Sequence, residues 1–193
     1  MTEIKVWILA GVSGCGKSTF TNALRSAFEN REDNQKINVC STDSYIDNYC
    51  KENNVDYQEA YKQIQEKNLF RNATAKFYND IEDSIKCDTN FVIDRTNLTS
   101  GGRKHLIENL RNTAKVVGKT LNVRTILFNV PREKLLIRND FRSKNKGKFI
   151  PLDVLDSQMK SFENVKHDEG HNSLNIVDEF DHDYVENHGG LIE

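Results

Sequence analysis

"ILAGVSGCGKSTF", Ile8 to Phe20, is the stretch on which the reading of this chain turns. From Gly11 to Ser18 it satisfies the pattern G-x-x-x-x-G-K-[ST]. Ahead of it, Ile4–Ala10 reads as a buried strand; behind it, Lys17–Glu29 reads as a helix. Gly11, Gly14 and Gly16 permit backbone angles that aim successive N–H groups at phosphate oxygens, and the helix adds its positive N-terminal end. The run Gly11, Val12, Ser13, Gly14, Cys15, Gly16, Lys17, Ser18 and Thr19 is therefore expected to bind a nucleoside triphosphate. Lys17 is expected to reach the outer phosphates and act in catalysis, and the Ser18 hydroxyl to ligate Mg²⁺.

Outward from this loop the pattern alternates. Strands are expected at Ile37–Cys40, Phe91–Ile93, Val123–Val130 and Leu174–Val177. Helical patterns fall at 56–86 (one or two helices), at Arg103–Val117, at 131–143 and at 152–163. Pro131 and Pro151 each precede a helix-like run, where a fixed φ favours initiation. Alternation of this kind implies an α/β fold: a P-loop NTPase, adenylate-kinase-like, with a parallel sheet flanked by helices and a basic helical lid at 131–150.

A length of 193 residues suits one domain over 1–193. With 37% hydrophobic and 29% charged residues the chain is neither disordered nor membrane-spanning in composition. No apolar run approaches the roughly 18–20 residues a bilayer requires. The start does not read as a secretory signal, and Cys15, Cys40, Cys50 and Cys87 form no CxxC pair, so reduced thiols and a cytoplasmic location are expected. Net charge is −2, but unevenly spread. Residues 131–148 hold seven Lys/Arg against two acids, which suits an anionic ligand or a solvated face; 163–193 hold nine acids against one lysine. The segment 164–193, with His167, His171, His182 and His188, reads as a solvated acidic tail rather than a metal site. Nothing in the sequence bears on oligomeric state.

In parallel sheets ligands bind beyond the carboxyl ends of the strands, so the residues there are the next to read. Asp43 follows the second strand. It has two readings, a base accepting the proton of an attacking hydroxyl, or an Asx turn or helix cap in "STDSY". Asp94 follows the third strand, where a carboxylate can hold Mg²⁺ through water. Thr96 and Asn97 either contact phosphate or acceptor, or cap the next helix. Arg138 and Arg142 lie one turn apart on the basic helix, and an arginine there can neutralise charge on a transferring phosphate. Lys144, Lys146 and Lys148 follow in a Gly-containing loop.

Together, "GVSGCGKST", "VIDRTNL", "FNVPREKLLIRNDFR" and "FIPLDVLDSQMKSF" resemble the P-loop polynucleotide 5′-hydroxyl kinase family, and its bacteriophage members in particular. The match runs from Lys5 to about Phe162 and is poor over 47–90. The resemblance implies ATP- and Mg²⁺-dependent transfer of the γ-phosphate to a 5′-hydroxyl of DNA or RNA, as in repair of nucleic-acid ends. It also implies that Asp43 is the general base, Arg142 the lid arginine stabilising the transition state, and Arg138 a neighbour of the nucleotide base. Two positions depart from the family. Ile46 stands where an arginine grips the acceptor's phosphate, and Arg95 where an acid precedes Thr-Asn, with Asp94 one place earlier.

Three classes of function follow. The first is a polynucleotide 5′-hydroxyl kinase. The second keeps the transfer but changes the acceptor to a nucleoside, a hydroxymethylated base in DNA or a sugar. The third is a nucleotide-driven binding or switch protein. A GTPase is disfavoured, since Asn145-Lys146 leads into Gly147-Lys148 rather than the N-K-x-D guanine signature.

Overall fold

The computed structural model describes residues 3–30, 36–146 and 149–178. Five strands, β1 (Ile4–Ala10), β2 (Ile37–Cys40), β3 (Asn90–Ile93), β4 (Leu121–Phe128) and β5 (Ser173–Val177), form one sheet in the order β2-β3-β1-β4-β5. Every neighbouring pair is parallel. Seven α-helices are described: α1 (Lys17–Glu29), α2 (Asp43–Asn53), α3 (Tyr57–Glu66), α4 (Phe70–Lys86), α5 (Ser100–Val116), α6 (Arg132–Lys146) and α7 (Leu152–Ser161). The expected α/β P-loop kinase fold is present.

Strand alternation sorts the core into two layers. Ile4, Val6, Ile8, Phe91 and Ile93 face α4 and α5, packing on Phe77, Ile81, Leu106 and Leu110. Trp7, Leu9 and Val92 face the other way, onto Phe20, Leu24 and Phe28 of α1 and onto Leu135 and Leu155 of α6 and α7. Trp7, the single tryptophan, meets Phe28 edge-on with centroids 5.6 Å apart. A smaller cluster of Ile46, Ala60 and Ile64 holds α2 against α3, apart from both layers.

The departures from the sequence-based expectation include the following three. Helix α2 is new: only Ile46 of its residues is buried, with Tyr45, Tyr49 and Cys50 half-buried beside it. Helix α5 starts at Ser100 because the Thr99 side chain accepts from Gly102 N, a cap placed ahead of two glycines. Strand β4 begins two residues earlier than expected and ends two residues earlier, pairing Ile4 with Leu121 through Ala10 with Leu127.

Arg103 of α5 and Glu169 of a short 3-10 helix (His167–Glu169) form an ion pair whose side chains are both 0% exposed. Arg103 also donates to the carbonyls of Asn97, Leu98, Glu163 and Asn164, so one guanidinium ties the segment after β3 to the segment after α7. Burial alone would raise the Glu169 carboxyl, but bonds from Arg103 and its other donors outweigh it and hold the group below its ordinary value. All four cysteines are free thiols, and burial pushes Cys40 up to about 12. Among the described residues, no helix is long and apolar enough to cross a membrane. The segment expected from 164 onward as a solvated acidic tail is instead folded through Asp178, because Val165 and Glu169 are buried and β5 pairs with β4; its remainder, with His182 and His188, and lid positions 147–148 lie outside the described residues.

Candidate active site

Register sets the site. Cys40 pairs with Ile93, and Ile93 with Ile8, so β2, β3 and β1 end nearly level and their following residues share one edge. The loop after β1 is the turn the motif requires. A Cβ on Gly11 would fall 2.8 Å from Cys15 Sγ and 3.1 Å from the Phe128 carbonyl oxygen, so no side chain fits there. Gly16 sits at φ 114 and opens α1.

Lys17 is buried, and its ammonium donates to the carbonyls of Gly11 at 2.9 Å and Val12 at 2.8 Å. A buried ammonium needs acceptors, and phosphate oxygens are stronger ones than carbonyls, so the same group suits an incoming triphosphate. Ser18 and Thr19 are exposed on the first turn of α1. Asp94 accepts from Thr21 Oγ1 at 3.2 Å, one turn beyond Ser18 on the same helix. A hydroxyl and a carboxylate at that turn are hard oxygen donors of the type Mg²⁺ takes, the remaining ligands being phosphate and water.

Thr96 and Asn97 are used to hold the loop. Gly11 N donates to the Thr96 carbonyl at 2.9 Å, and Asn97 Nδ2 to the Leu9 carbonyl at 2.7 Å. Asn97 adopts a left-handed φ of 45, which its short polar side chain tolerates. The cap of the following helix is Thr99, not either of these.

Asp43 is the first residue of α2, exposed and at the level of the β2 end. Its N–H donates to Ser41 Oγ at 3.2 Å, so Ser41 supplies the local turn and the Asp43 carboxylate adds favourable charge to a helix N-terminus. Burial pushes the Tyr57 hydroxyl up, and the negative charges of Asp43 and Asp47 push it further; the three groups are neighbours where α2 meets α3. Ile46, one turn on, is 4% exposed and faces Ala60 and Ile64 rather than the edge.

From the opposite side the lid and α7 touch the loop at three successive residues. Gln158 of α7 accepts from Ser13 N at 2.7 Å, Ile150 approaches Gly14, and Arg138 Nη1 donates to the Cys15 carbonyl at 2.9 Å. Asn139, buried, bonds both the N–H and the carbonyl of Ile150 and so closes the lid loop onto α6. Arg142 follows Arg138 by one turn on the same face and is half-buried. The structure thus gathers Lys17, Ser18, Asp94 and Arg138 around one loop, and sets Asp43 at the end of a strand level with it. Gln158 was not singled out from sequence: it lies in a distinctive block, but nothing local marks one polar residue there as facing the loop.

A family model described as an AAA domain matches residues 6–165. None of the curated proteins matches the chain. Among solved structures, a proposed kinase from Chloroflexus aurantiacus superposes with a TM-score of 0.68 at 14% identity, covering 99% of this chain and 98% of that one. A fungal RNA kinase gives 0.57 at 15% identity, covering 100% and 90%. A gluconokinase from Sinorhizobium meliloti gives 0.50 at 15% identity, covering 92% and 84%. These likenesses show a shared kinase-like P-loop fold.

Proposed function

We propose, from the premise that the chain belongs to the AAA domain family, that it transfers the γ-phosphate of ATP to a 5′-hydroxyl of a polynucleotide, DNA or RNA. Bound MgATP would supply the electrophilic phosphoryl group and neutralise charge on its oxygens. Lys17 would hold the outer phosphates, and Ser18 with Asp94 would hold the metal. Arg138 stands over the loop, and Arg142 on the same face meets the charge developing on the transferring group. Asp43 accepts the proton of the attacking alcohol. As a weak base it takes the proton late, so orienting the hydroxyl matters as much as basicity.

The observation that supports this reading most is the level register of β1, β3 and β2, which sets the phosphate loop, Asp94 and Asp43 on one edge in that order. The burial of Ile46 favours a second reading, the same transfer to a nucleoside, a hydroxymethylated base or a sugar, because α2 then offers no cation at that position. An acceptor screen with γ-labelled ATP separates the two. Label on the 5′ end of oligonucleotides is expected; label on a small alcohol alone would replace the first reading by the second.

A further inference from the structure

We propose that Gln158 is a positioning residue of the phosphate loop, holding the Val12–Ser13 peptide in place when ATP draws Lys17 away from it. This rests on the ATP half of the reading above and on none of its acceptor half.

One peptide group is gripped from both sides. Its carbonyl, that of Val12, accepts from the Lys17 ammonium at 2.8 Å; its N–H, that of Ser13, donates to Gln158 Oε1 at 2.7 Å. The two ends of a trans peptide point opposite ways, so Gln158 stands across the loop backbone from Lys17. A further bond to the Val12 carbonyl comes from Cys15 N and is long, at 3.4 Å. Among the described residues, Gln158 is the one acceptor that the Ser13 N–H meets.

A bound triphosphate loosens one grip only. Phosphate oxygens are stronger acceptors than carbonyls, so the ammonium transfers its bonds from Gly11 and Val12 to the outer phosphates. Gln158 keeps its bond, since its partner is an N–H on the far side of the backbone. A half-buried N–H left without an acceptor is costly, so in the occupied loop this bond decides how firmly the turn keeps its shape. Arg138 and Ile150 grip the next two residues, at the Cys15 carbonyl and at Gly14, and neither reaches this peptide.

The core sets the side chain where it is needed. Leu155, buried, and Met159 pack α7 into the layer that holds Phe20 and Phe28, and Gln158 lies beside that stripe. A backbone N–H only donates, so the oxygen end of the amide must face it. A glutamate keeps that acceptor, and a methionine of similar length removes it.

The test measures MgATP affinity by titration calorimetry for the wild type, Gln158→Met and Gln158→Glu, with the nucleotide-free melting temperature alongside. Gln158→Met is expected to weaken ATP binding by about 5- to 30-fold, the scale of one N–H left unpaired. Its melting temperature should stay within about 2 °C of the wild type. Gln158→Glu, with its added charge screened in about 0.5 M salt, should recover most of the lost affinity. An affinity within about twofold of wild type in Gln158→Met would overturn the proposal, as would a glutamate variant as weak as the methionine one. A melting temperature that falls in step with affinity would make Gln158 a packing residue and overturn it too. One arm needs no variant: in the wild type, NMR hydrogen exchange at the Ser13 amide should stay slow when MgATP is added, and faster exchange there would contradict the proposal. A wild type that binds no ATP would overturn this inference together with the kinase reading; each of the other failures leaves that reading standing.

Discussion

The donor half of the site grows from β1, which is hydrogen-bonded on both sides and buried between two layers of the core. The half proposed to take the acceptor grows from the end of an outer strand, β2, and from α2 and α3, which share a cluster of three buried residues. The first is pinned at many points: Gly11 N to Thr96, Asn97 to Leu9, Asp94 to Thr21, Arg138 to Cys15. The second is held mainly by Ile46, Ala60 and Ile64 with tyrosines around them. The difference fits a division of labour: triphosphate geometry is fixed and rewards rigidity, while acceptor choice can sit on a separable helical unit of lower local stability.

Substitutions on either half should break that division in different ways. The largest expected effect is on the lid: Arg142→Ala should lower turnover by about 10³- to 10⁵-fold, measured with saturating ATP and acceptor. Arg103→Met should come next, because it strands Glu169 in the core and frees the segments that position Asn97 and α7. A loss of about 3–5 kcal/mol is expected in denaturant melts followed by Trp7 fluorescence. Smaller still, Ile46→Ala should cost about 2 kcal/mol and act locally. Amide exchange should quicken in α2 and α3 and stay slow in α1 and α5; uniform quickening would mean the acceptor unit is not separable.

The mildest test is with acid. Glu169 is held below its ordinary value of 4.5, so its contribution to stability is present above that pH and drains as the pH falls through the folded value. The melting-temperature gap between wild type and Glu169→Gln should be widest at pH 6–7 and narrow below about 4.5. A gap that widens in acid would reverse the sign assigned to this pair.

How much of this could be read from the chain alone follows the same divide. The phosphate loop was legible because eight positions and both flanks carry the signal locally, and the ends of β1, β2, β3 and β5, though not of β4, because short apolar runs stop on polar residues. Helix α2 was hidden, since its packed face carries a single aliphatic side chain, Ile46, among tyrosines and a cysteine. The role of Arg103 was not legible, because sequence does not show that a carboxylate 66 residues away will be buried with it. The contact of Ser13 with Gln158 spans 145 residues and leaves no local trace at all. Departures at Ile46 and Arg95 were visible, but only the structure shows one turned inward to the α2–α3 cluster and the other stacked on Phe77.

The most direct test of the central claim, that Asp43 meets the acceptor on the edge where the loop presents the phosphate, is Asp43→Ala measured twice. ATP affinity should stay within about twofold, while label transfer to a 5′-hydroxyl oligonucleotide falls by about 10²- to 10⁴-fold. Transfer that survives the substitution, or ATP binding lost along with it, would contradict the account.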